Sequence, residues 1–267
     1  MKRLLEIKDK YVELSKGYID YEKLANYFIT HHSTAIEGSS LTHNEVVLLF
    51  DHGITPAGKP FLHLLMEKDH LDALRYILEI AGEKKKLSVE TIQFISSLVM
   101  KNTGASYNMM GGQFDASKGE FRKGGVHVGT RSFVDFRKVP GLVKDLVDFI
   151  NAEIDLCSDY IPNNTLAFDA HFQMVSIHPF ADGNGRLSRL IMNYIQHYHN
   201  HPITPVLSED KVLYFEALEQ TRQQQDPEIF RKFMFEESLK YFSEAIDMMT
   251  REQVLKKSKG KGLSFLF

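Results

Sequence analysis

The stretch HPFADGNGRLSR, residues 178–189, separates two segments of the chain that both have helical spacing. Before it, apolar residues at 166, 167, 170, 174 and 177 recur at spacings of three and four, and Pro179 biases the residue before it away from helical geometry. After it, apolar residues at 187, 190, 191 and 194 resume the same spacing. The sequence therefore predicts a helix that ends near His178, a glycine loop and a second helix.

This loop has the features of an anion site. The glycines at 183 and 185 allow successive backbone N–H groups to point inward, and the second helix adds the positive end of its dipole. Arg186 and Arg189 are three positions apart, so both guanidinium groups lie on one helix face beside the loop. Two cations at a helix N-terminus are unfavourable unless an anion compensates them. We therefore favour a phosphate site over the alternative, a simple tight turn of the Asp-Gly or Asn-Gly type.

Three better-known phosphate and metal motifs do not fit the loop. No lysine follows the glycines as in a Walker A motif, and the third glycine of the dinucleotide-binding fingerprint is absent. An EF-hand requires glycine at the sixth position of its loop, whereas counting from Asp182 places Leu187 there. None of these three motifs accounts for the loop, and the sequence does not favour a calcium site.

The composition is that of a folded globular protein. Of the 267 residues, 43% are hydrophobic and 25% are charged, which argues against disordered, collagen-like and membrane classes. The formal net charge of -3 supplies no overall positive field for a nucleic-acid backbone, so we expect no clear nucleic-acid site. Cys157 is the single cysteine, which excludes an intrachain disulfide, and no apolar run has the length of a membrane span. We expect a cytoplasmic protein without a membrane partner.

Most of the chain outside the loop also has helical spacing, bounded by start and stop signals. Thr42 and Glu45 have capping-box spacing ahead of an apolar run, and Gly53 follows as a stop. Further helices are predicted over residues 61–82, after Ser88 to about residue 102, at Pro140 and at residues 226–227. The sequence thus predicts a mainly helical fold.

One region between residues 104 and 140 has a different character. Glycines cluster there at 111, 112, 119, 124, 125 and 129, and Val126 and Val128 alternate with His127 as in a strand. We predict a β-hairpin or extended flap in this region. Glycine-rich turns between helices are the alternative.

Residues 178–189 resemble the complete signature of the Fic family, because every defining position is filled. Residues 119–122 (GEFR) and 126–129 (VHVG) resemble that family's strand-forming flap, and residues 33–38 (STAIEG) resemble its inhibitory helix. The resemblance implies an all-α, Fic-type helical bundle with one β-hairpin flap next to the active-site loop. It implies an N-terminal helical region at 1–100 that includes the inhibitory helix and a Fic core at 101–250. The lysines near the end of the sequence predict a basic C-terminal tail at 251–267.

The resemblance also implies that the chain transfers AMP from ATP to a Ser, Thr or Tyr hydroxyl of a target protein, with the chain itself among the candidate targets. An alcohol is a weak nucleophile at neutral pH, so a general base with a pKa near 7 typically contributes about 10²–10⁴-fold. His178, which ends a helix beside the loop, is the expected base; the alternative is a histidine that caps its helix. Asp182 is a hard oxygen donor suited to Mg²⁺, and the alternative is a turn residue.

The phosphate groups of ATP are expected to bind along the loop. Backbone groups at Gly183 and Gly185, together with Asn184, would receive phosphate oxygens. Arg186 and Arg189 would hold the β and γ phosphates as bidentate donors.

Two further segments receive roles from the resemblance. Ser33, Glu37 and Gly38 match the inhibitory helix, in which Glu37 pairs with Arg189 and competes with the γ phosphate; a solvated carboxylate at a helix end is the alternative. The flap would dock the target by presenting a strand edge to which a target segment adds. The residues of that edge are Val126, His127 and Val128.

Two rival functions remain. On the same fold, some relatives move other nucleotidyl or phosphoryl groups or act as de-AMPylating hydrolases, and in a hydrolase Glu37 would position the attacking water. A non-catalytic module that binds an anion or a protein is the rival of another class; loss of His178 or Asp182 would have suggested it, and both are present. The target, the donor nucleotide and the oligomeric state stay open at this point.

Overall fold

The computed structural model describes residues 1–18, 20–129 and 131–259, which are mainly helical. The predicted fold class, all-α with an extended flap beside the active-site loop, is confirmed. No helix in these ranges combines the length and apolar character needed to cross a bilayer. The ten α-helices of the described residues are α1 Lys2–Ser15, α2 Tyr21–Ile36, α3 His43–His52, α4 Phe61–Gly82, α5 Val89–Val99, α6 Val139–Glu153, α7 Tyr160–Ile177, α8 Asn184–Tyr198, α9 Lys211–Gln224 and α10 Pro227–Lys259.

The flap between α5 and α6 contains two short antiparallel ladders where we predicted one hairpin. The described strands are β1 Ser106–Met109, β2 Gly112–Asp115, β3 His127–Val128 and β4 Arg131–Ser132, with β1 paired to β2 and β3 paired to β4. A 3₁₀ turn at Ala116–Lys118 follows β2 and ends at Gly119 in the left-handed conformation, with φ 67°. This turn takes the chain out of the first ladder before the second one begins.

Local signals determine where several helices begin and end. Thr42 caps α3 through a complete capping box with Glu45, and Gly53 ends the helix with φ 65°. Ser88 caps α5 by accepting the N–H of Thr91, and a proline lies in the first turn of α6. These predicted boundaries are confirmed.

The chain forms two compact units. One contains Met1–His32, Leu41–Ala57 and the described residues from Thr204 to Lys259, and the other contains Ser33–Ser40 and Gly58–Ile203. This grouping reflects packing, while the predicted segments 1–100, 101–250 and 251–267 follow chain order and stay a prediction. Helix α10 continues to Lys259, into the predicted basic tail, and residues 260–267 lie outside the described residues.

Helix α8 is the central helix of the second unit. It packs against α7, α4 and α5. Leu187, Leu190 and Ile191 are fully buried, and burial of such side chains stabilises the fold by about 1.5–3 kcal/mol each. The polar Ser188 and Asn193 are buried as well, so α8 is enclosed on several sides. The N-terminus of α8, which follows the glycine loop, is therefore held in place by packing.

Gly119 is required where the flap meets α5. Its φ is 67°, and a Cβ added there would lie 1.9 Å from the backbone oxygen of Gln93. We predict that Gly119→Ala lowers the free energy of unfolding by about 2–5 kcal/mol, through backbone strain and displacement of the flap from α5. Gly125→Ala in the same flap is the matched control, because nothing lies within 4 Å of its Cβ position. Urea unfolding followed by circular dichroism compares the two, and equal midpoints would contradict this contact.

Candidate active site

The glycine loop joins α7 to α8 and is closed by its own residues. Helix α7 ends at Ile177, and His178 adopts the left-handed conformation with φ 53° while its N–H donates to the carbonyl of Met174. The Asn184 side chain accepts the N–H of Phe180 and donates to the Phe180 carbonyl, both at 3.0 Å. The Phe180 ring is buried and anchors the loop in the core. The loop is therefore fixed at both ends and in the middle.

The backbone at the start of α8 has donors that suit an anion. Because the Asn184 side chain closes the loop, we expect its backbone to make the predicted phosphate contact. Gly183 has φ 78°, a conformation that strains other residues, and a Cβ added there would lie 2.8 Å from Met100 Sδ, so Met100 would have to shift. The first N–H groups of an α-helix have no intrahelical partners, and α8 begins at Asn184. These donors and the positive helix end form a site for negative charge.

His178 lies beside the flap. Its ring stacks on Phe133, with ring centroids 3.9 Å apart, and the Arg131 guanidinium lies over the Phe133 ring at 4.6 Å from its centroid. Burial lowers the pKa of His178 to about 4, and the positive charges of Arg122 and Arg131 act in the same direction. The imidazole is therefore neutral at pH 7, which is the form that can accept a proton.

Arg122 ties the flap to the loop, a role that its place in the sequence did not indicate. Its side chain is 1% exposed and donates to the carbonyls of His178 and Gly124 at 2.8 Å and of Val134 at 2.6 Å. Its backbone N–H donates to the carbonyl of Pro179. A buried guanidinium with three carbonyl acceptors holds the backbone of the expected base in one position. An arginine within a glycine-rich segment was the available signal, and it says nothing about the acceptors.

Arg186 and Arg189 bring two positive charges into the first turns of α8, where they are 2% and 3% exposed. Arg186 extends toward the end of α5 and donates to the carbonyl of Val99 at 3.3 Å. Its Nε has no hydrogen-bond partner among the described residues, and an unpaired buried donor carries a free-energy cost until an acceptor reaches it. Burial lowers the pKa of Arg186, which the carboxylates of Asp182 and Glu37 oppose. An anion at this end of the helix is therefore favourable.

Glu37 supplies a negative charge at this position. Its Oε1 accepts from Nη2 of Arg189 at 2.7 Å, and Arg189 also donates to the hydroxyl and the carbonyl of Ser33, both at 2.8 Å. The same Oε1 lies 2.3 Å from the place of a Cβ at Gly185, so the glycine leaves room for the carboxylate. The side chain of Glu37 is 30% exposed, and Gly38 follows it with φ 103°. The structure brings these predicted residues together, and the inhibitory role stays a prediction.

Asp182 is the exposed carboxylate of the loop. Its side chain is 63% exposed, and its Oδ1 accepts the N–H of Gly183 at 2.6 Å and lies 3.9 Å from Nη2 of Arg186. The described part of the chain contains no group of three or more His, Cys, Asp or Glu that could hold a metal alone. Mg²⁺ usually takes only one or two carboxylates and completes its shell with phosphates and water. A single exposed carboxylate beside an anion site fits an ion of that kind.

The predicted docking residues lie in and beside the second ladder. His127 and Val128 form β3, and the carbonyl of Val126 accepts the N–H of Phe133 at 3.3 Å. His127 is exposed, and its Nδ1 lies 3.0 Å from the hydroxyl of Ser132. Phe133 thus connects this ladder to the ring of His178. The role of the strand edge in docking a target stays a prediction.

Comparison with known proteins identifies the region that contains this site. Residues 86–196 match the Fic/DOC family model. Protein adenylyltransferase fic-1 of Caenorhabditis elegans is 28% identical over 196 residues, which is 72% of this chain and 36% of that protein. The chain therefore spans little more than a third of the length of this relative.

Solved structures share the fold. A Fic domain containing signaling protein from Bacteroides thetaiotaomicron has a TM-score of 0.77 at 22% identity, over 98% of this chain and 100% of that chain. IbpAFic2, solved in complex with adenylylated Cdc42, has a TM-score of 0.52 at 18% identity, over 89% of this chain and 70% of that chain. Residues 86–196, which contain the glycine loop and the flap, therefore match a Fic/DOC domain.

Proposed function

We propose that the chain is a protein adenylyltransferase that moves AMP from ATP to a hydroxyl side chain of a target protein and is inhibited by Glu37. The observation that carries the proposal is the carboxylate of Glu37, which lies against Gly185 and accepts from Arg189 at the start of α8. The carboxylate of Glu37 thus occupies a position that suits a phosphate group. The name of the nematode relative supports the reaction, and the Cdc42 complex of IbpAFic2 supports a protein as the acceptor.

His178 is the proposed general base. The hydroxyl oxygen of the target forms a bond to the α-phosphorus of ATP, the bond to pyrophosphate breaks, and the hydroxyl proton passes to the imidazole. Arg122 holds the backbone of His178 and Phe133 packs on its ring, so the base is oriented before the substrates bind. The negative charge of bound ATP would raise the pKa of His178 toward the range in which a base is most effective.

The triphosphate is proposed to bind at the start of α8. Arg189, the buried Nε of Arg186 and the first backbone N–H groups of the helix are the donors. Asp182 and the phosphates would hold Mg²⁺, which neutralises charge on the departing pyrophosphate when it is bound.

Inhibition is proposed to arise because Glu37 and the γ phosphate compete for Arg189. A guanidinium that is paired with a carboxylate in a largely buried site must exchange one charge-assisted partner for another. ATP that binds without this exchange would place its phosphates away from the in-line geometry. Inhibition would therefore appear mainly as a lower rate of transfer.

We predict that Glu37→Gly raises the initial rate of AMP incorporation by roughly 10–10²-fold, since a misplacement of about 1 Å can cost about 10²-fold in rate. Glu37→Gln, which keeps the size of the side chain without its charge, should give part of this gain. Arg189→Ala in the Glu37→Gly background should cancel it. The measurement is intact mass after incubation with ATP, in which each transfer adds one AMP to the chain or to an added target.

An equal or lower incorporation by Glu37→Gly would contradict the inhibitory role. It would favour removal of AMP as the reaction, with Glu37 as the residue that positions water. Loss of AMP from a modified protein in the presence of wild type, but not of Glu37→Gly, would establish that alternative.

We predict that His178→Ala lowers transfer by about 10²–10⁴-fold while leaving ATP binding nearly intact, because the histidine acts on the attacking hydroxyl and not on the phosphates. The measurement is single-turnover transfer together with calorimetric titration of ATP, both in the Glu37→Gly background. His52→Ala, which removes an exposed histidine at the end of α3, is the control and should retain full activity. If His178→Ala retains turnover, His178 is not the general base.

We predict that Asp182→Asn and Asp182→Ala both lose activity and its dependence on Mg²⁺. Asn can still accept the N–H of Gly183 through its side-chain oxygen, so Asp182→Asn separates the turn role from the metal role. The measurement is transfer across a Mg²⁺ titration. A titration curve of Asp182→Asn that matches the wild type would assign Asp182 to the turn alone.

A further inference from the structure

A second carboxyl group, that of Glu67 on helix α4, contacts the inhibitory segment, residues 33–40, which carries Glu37. Glu67 is 0% exposed, and its Oε1 accepts hydrogen bonds from the hydroxyl of Thr34 at 2.6 Å and from the hydroxyl of Ser39 at 2.7 Å. Thr34 and Ser39 are themselves buried. One carboxyl oxygen therefore joins two side chains that lie on either side of Glu37 in the sequence.

The segment between these two hydroxyls is a closed turn. The carbonyl of Thr34 accepts the N–H of Glu37 and the N–H of Ser39, both at 3.0 Å, and Gly38 between them has φ 103°. The turn thus brings Thr34 and Ser39 side by side and leaves Glu37 at its outer end. Glu67 contacts the base of this turn, and Arg189 contacts its tip.

The start of α4 provides further contacts to the same segment. Nδ1 of His63 accepts the N–H of Ser40 at 3.1 Å, and Nζ of Lys59 donates to the carbonyl of Ser40. Lys59 precedes the helix, and His63 and Glu67 are one turn apart on it, so they occupy one face. Both contacts of Ser40 are exposed, whereas those of Glu67 are buried. The buried carboxyl is therefore the less water-accessible attachment of the segment.

We propose that Glu67 is the positioning residue of the inhibitory segment, which holds Glu37 against Arg189 by joining Thr34 to Ser39. This inference rests on the proposed function, since it describes the regulation of the same site. Glu67 does not touch the anion site through a hydrogen bond in this arrangement; it acts through the turn. Loss of the acceptor frees the turn, withdraws the Glu37 carboxylate from Arg189 and leaves the catalytic loop intact.

The state of the Glu67 carboxyl determines which substitution imitates it most closely. Burial raises the pKa of Glu67 to about 8, against the opposing effects of the hydrogen bonds from Thr34 and Ser39 and of the charge of Arg186. The carboxyl is therefore largely protonated at neutral pH, and Glu67→Gln preserves its shape, its neutral state and an acceptor oxygen. Glu67→Met preserves the approximate length of the side chain and removes the acceptor.

Amide hydrogen exchange tests the attachment without any reference to activity. In Glu67→Met, the amides of Glu37 and Ser39 should exchange roughly tenfold faster than in wild type, as expected for the loss of hydrogen bonds of ordinary strength. In Glu67→Gln, their protection should remain. The double variant Thr34→Val with Ser39→Ala leaves Glu67 in place and should accelerate the same amides, which covers the case in which Glu67→Met fails to fold. Unchanged exchange in the double variant would overturn the proposal.

AMP incorporation then tests the regulatory consequence. Glu67→Met should raise the rate in the same direction as Glu37→Gly and should add nothing in the Glu37→Gly background, whereas a merely destabilised protein would lose activity in both. A further gain on top of Glu37→Gly would overturn the positioning role. If exchange accelerates as expected while no variant, Glu37→Gly included, incorporates AMP, the attachment stands and the proposed function fails.

Discussion

Positive charge at the start of α8, in a place from which water is largely excluded, is the constraint around which the site is arranged. The helix end is already positive, and Arg186 and Arg189 add two guanidinium groups that are almost fully buried. A buried charge without a partner is strongly unfavourable, so the fold must either bind an anion or provide one. It provides the carboxylate of Glu37, from a segment 152 positions away in the chain. The same charges that suit the loop to a phosphate therefore also pair with the carboxylate that we propose as its competitor.

The scaffold places these groups by packing and by backbone contacts more than by ion pairs. Helices α7, α4 and α5 surround α8, and the reciprocal bonds between Asn184 and the backbone of Phe180 close the loop before the helix begins. Arg122 adds a different kind of support, since it donates to the His178 carbonyl from within the flap. The flap is thus part of the wall of the site, and its second ladder reaches the imidazole through Phe133. A segment that docks a target at this ladder would bring its hydroxyl close to the base by the same connection.

Local features of the sequence predicted the parts of this arrangement that depend on neighbouring residues. The caps of α3 and α5, the helix break at His178 and the need for an anion beside Arg186 and Arg189 each follow from a few adjacent positions. The partner of Arg189 came from family resemblance, because no periodicity links residues so far apart. The sequence placed Arg122 in the flap but gave no signal for its contact with His178, 56 positions away, and it gave none for the contact of Glu67 with Thr34, 33 positions away. A buried arginine or glutamate is recognised only when the fold shows which carbonyls and hydroxyls surround it.

The two arginines of α8 are not equivalent, and in the proposed function this difference would let Glu37 inhibit transfer while the nucleotide still binds. Arg189 is engaged by Glu37 and by Ser33, whereas Arg186 is directed toward α5 with its Nε unpaired among the described residues. Under the proposed function, an incoming triphosphate would find backbone donors and one guanidinium donor without displacing Glu37. Only the contact with Arg189 would require the carboxylate to leave. Binding and alignment of the nucleotide would in this way be separated within one helix turn, and Glu37 would act on alignment alone.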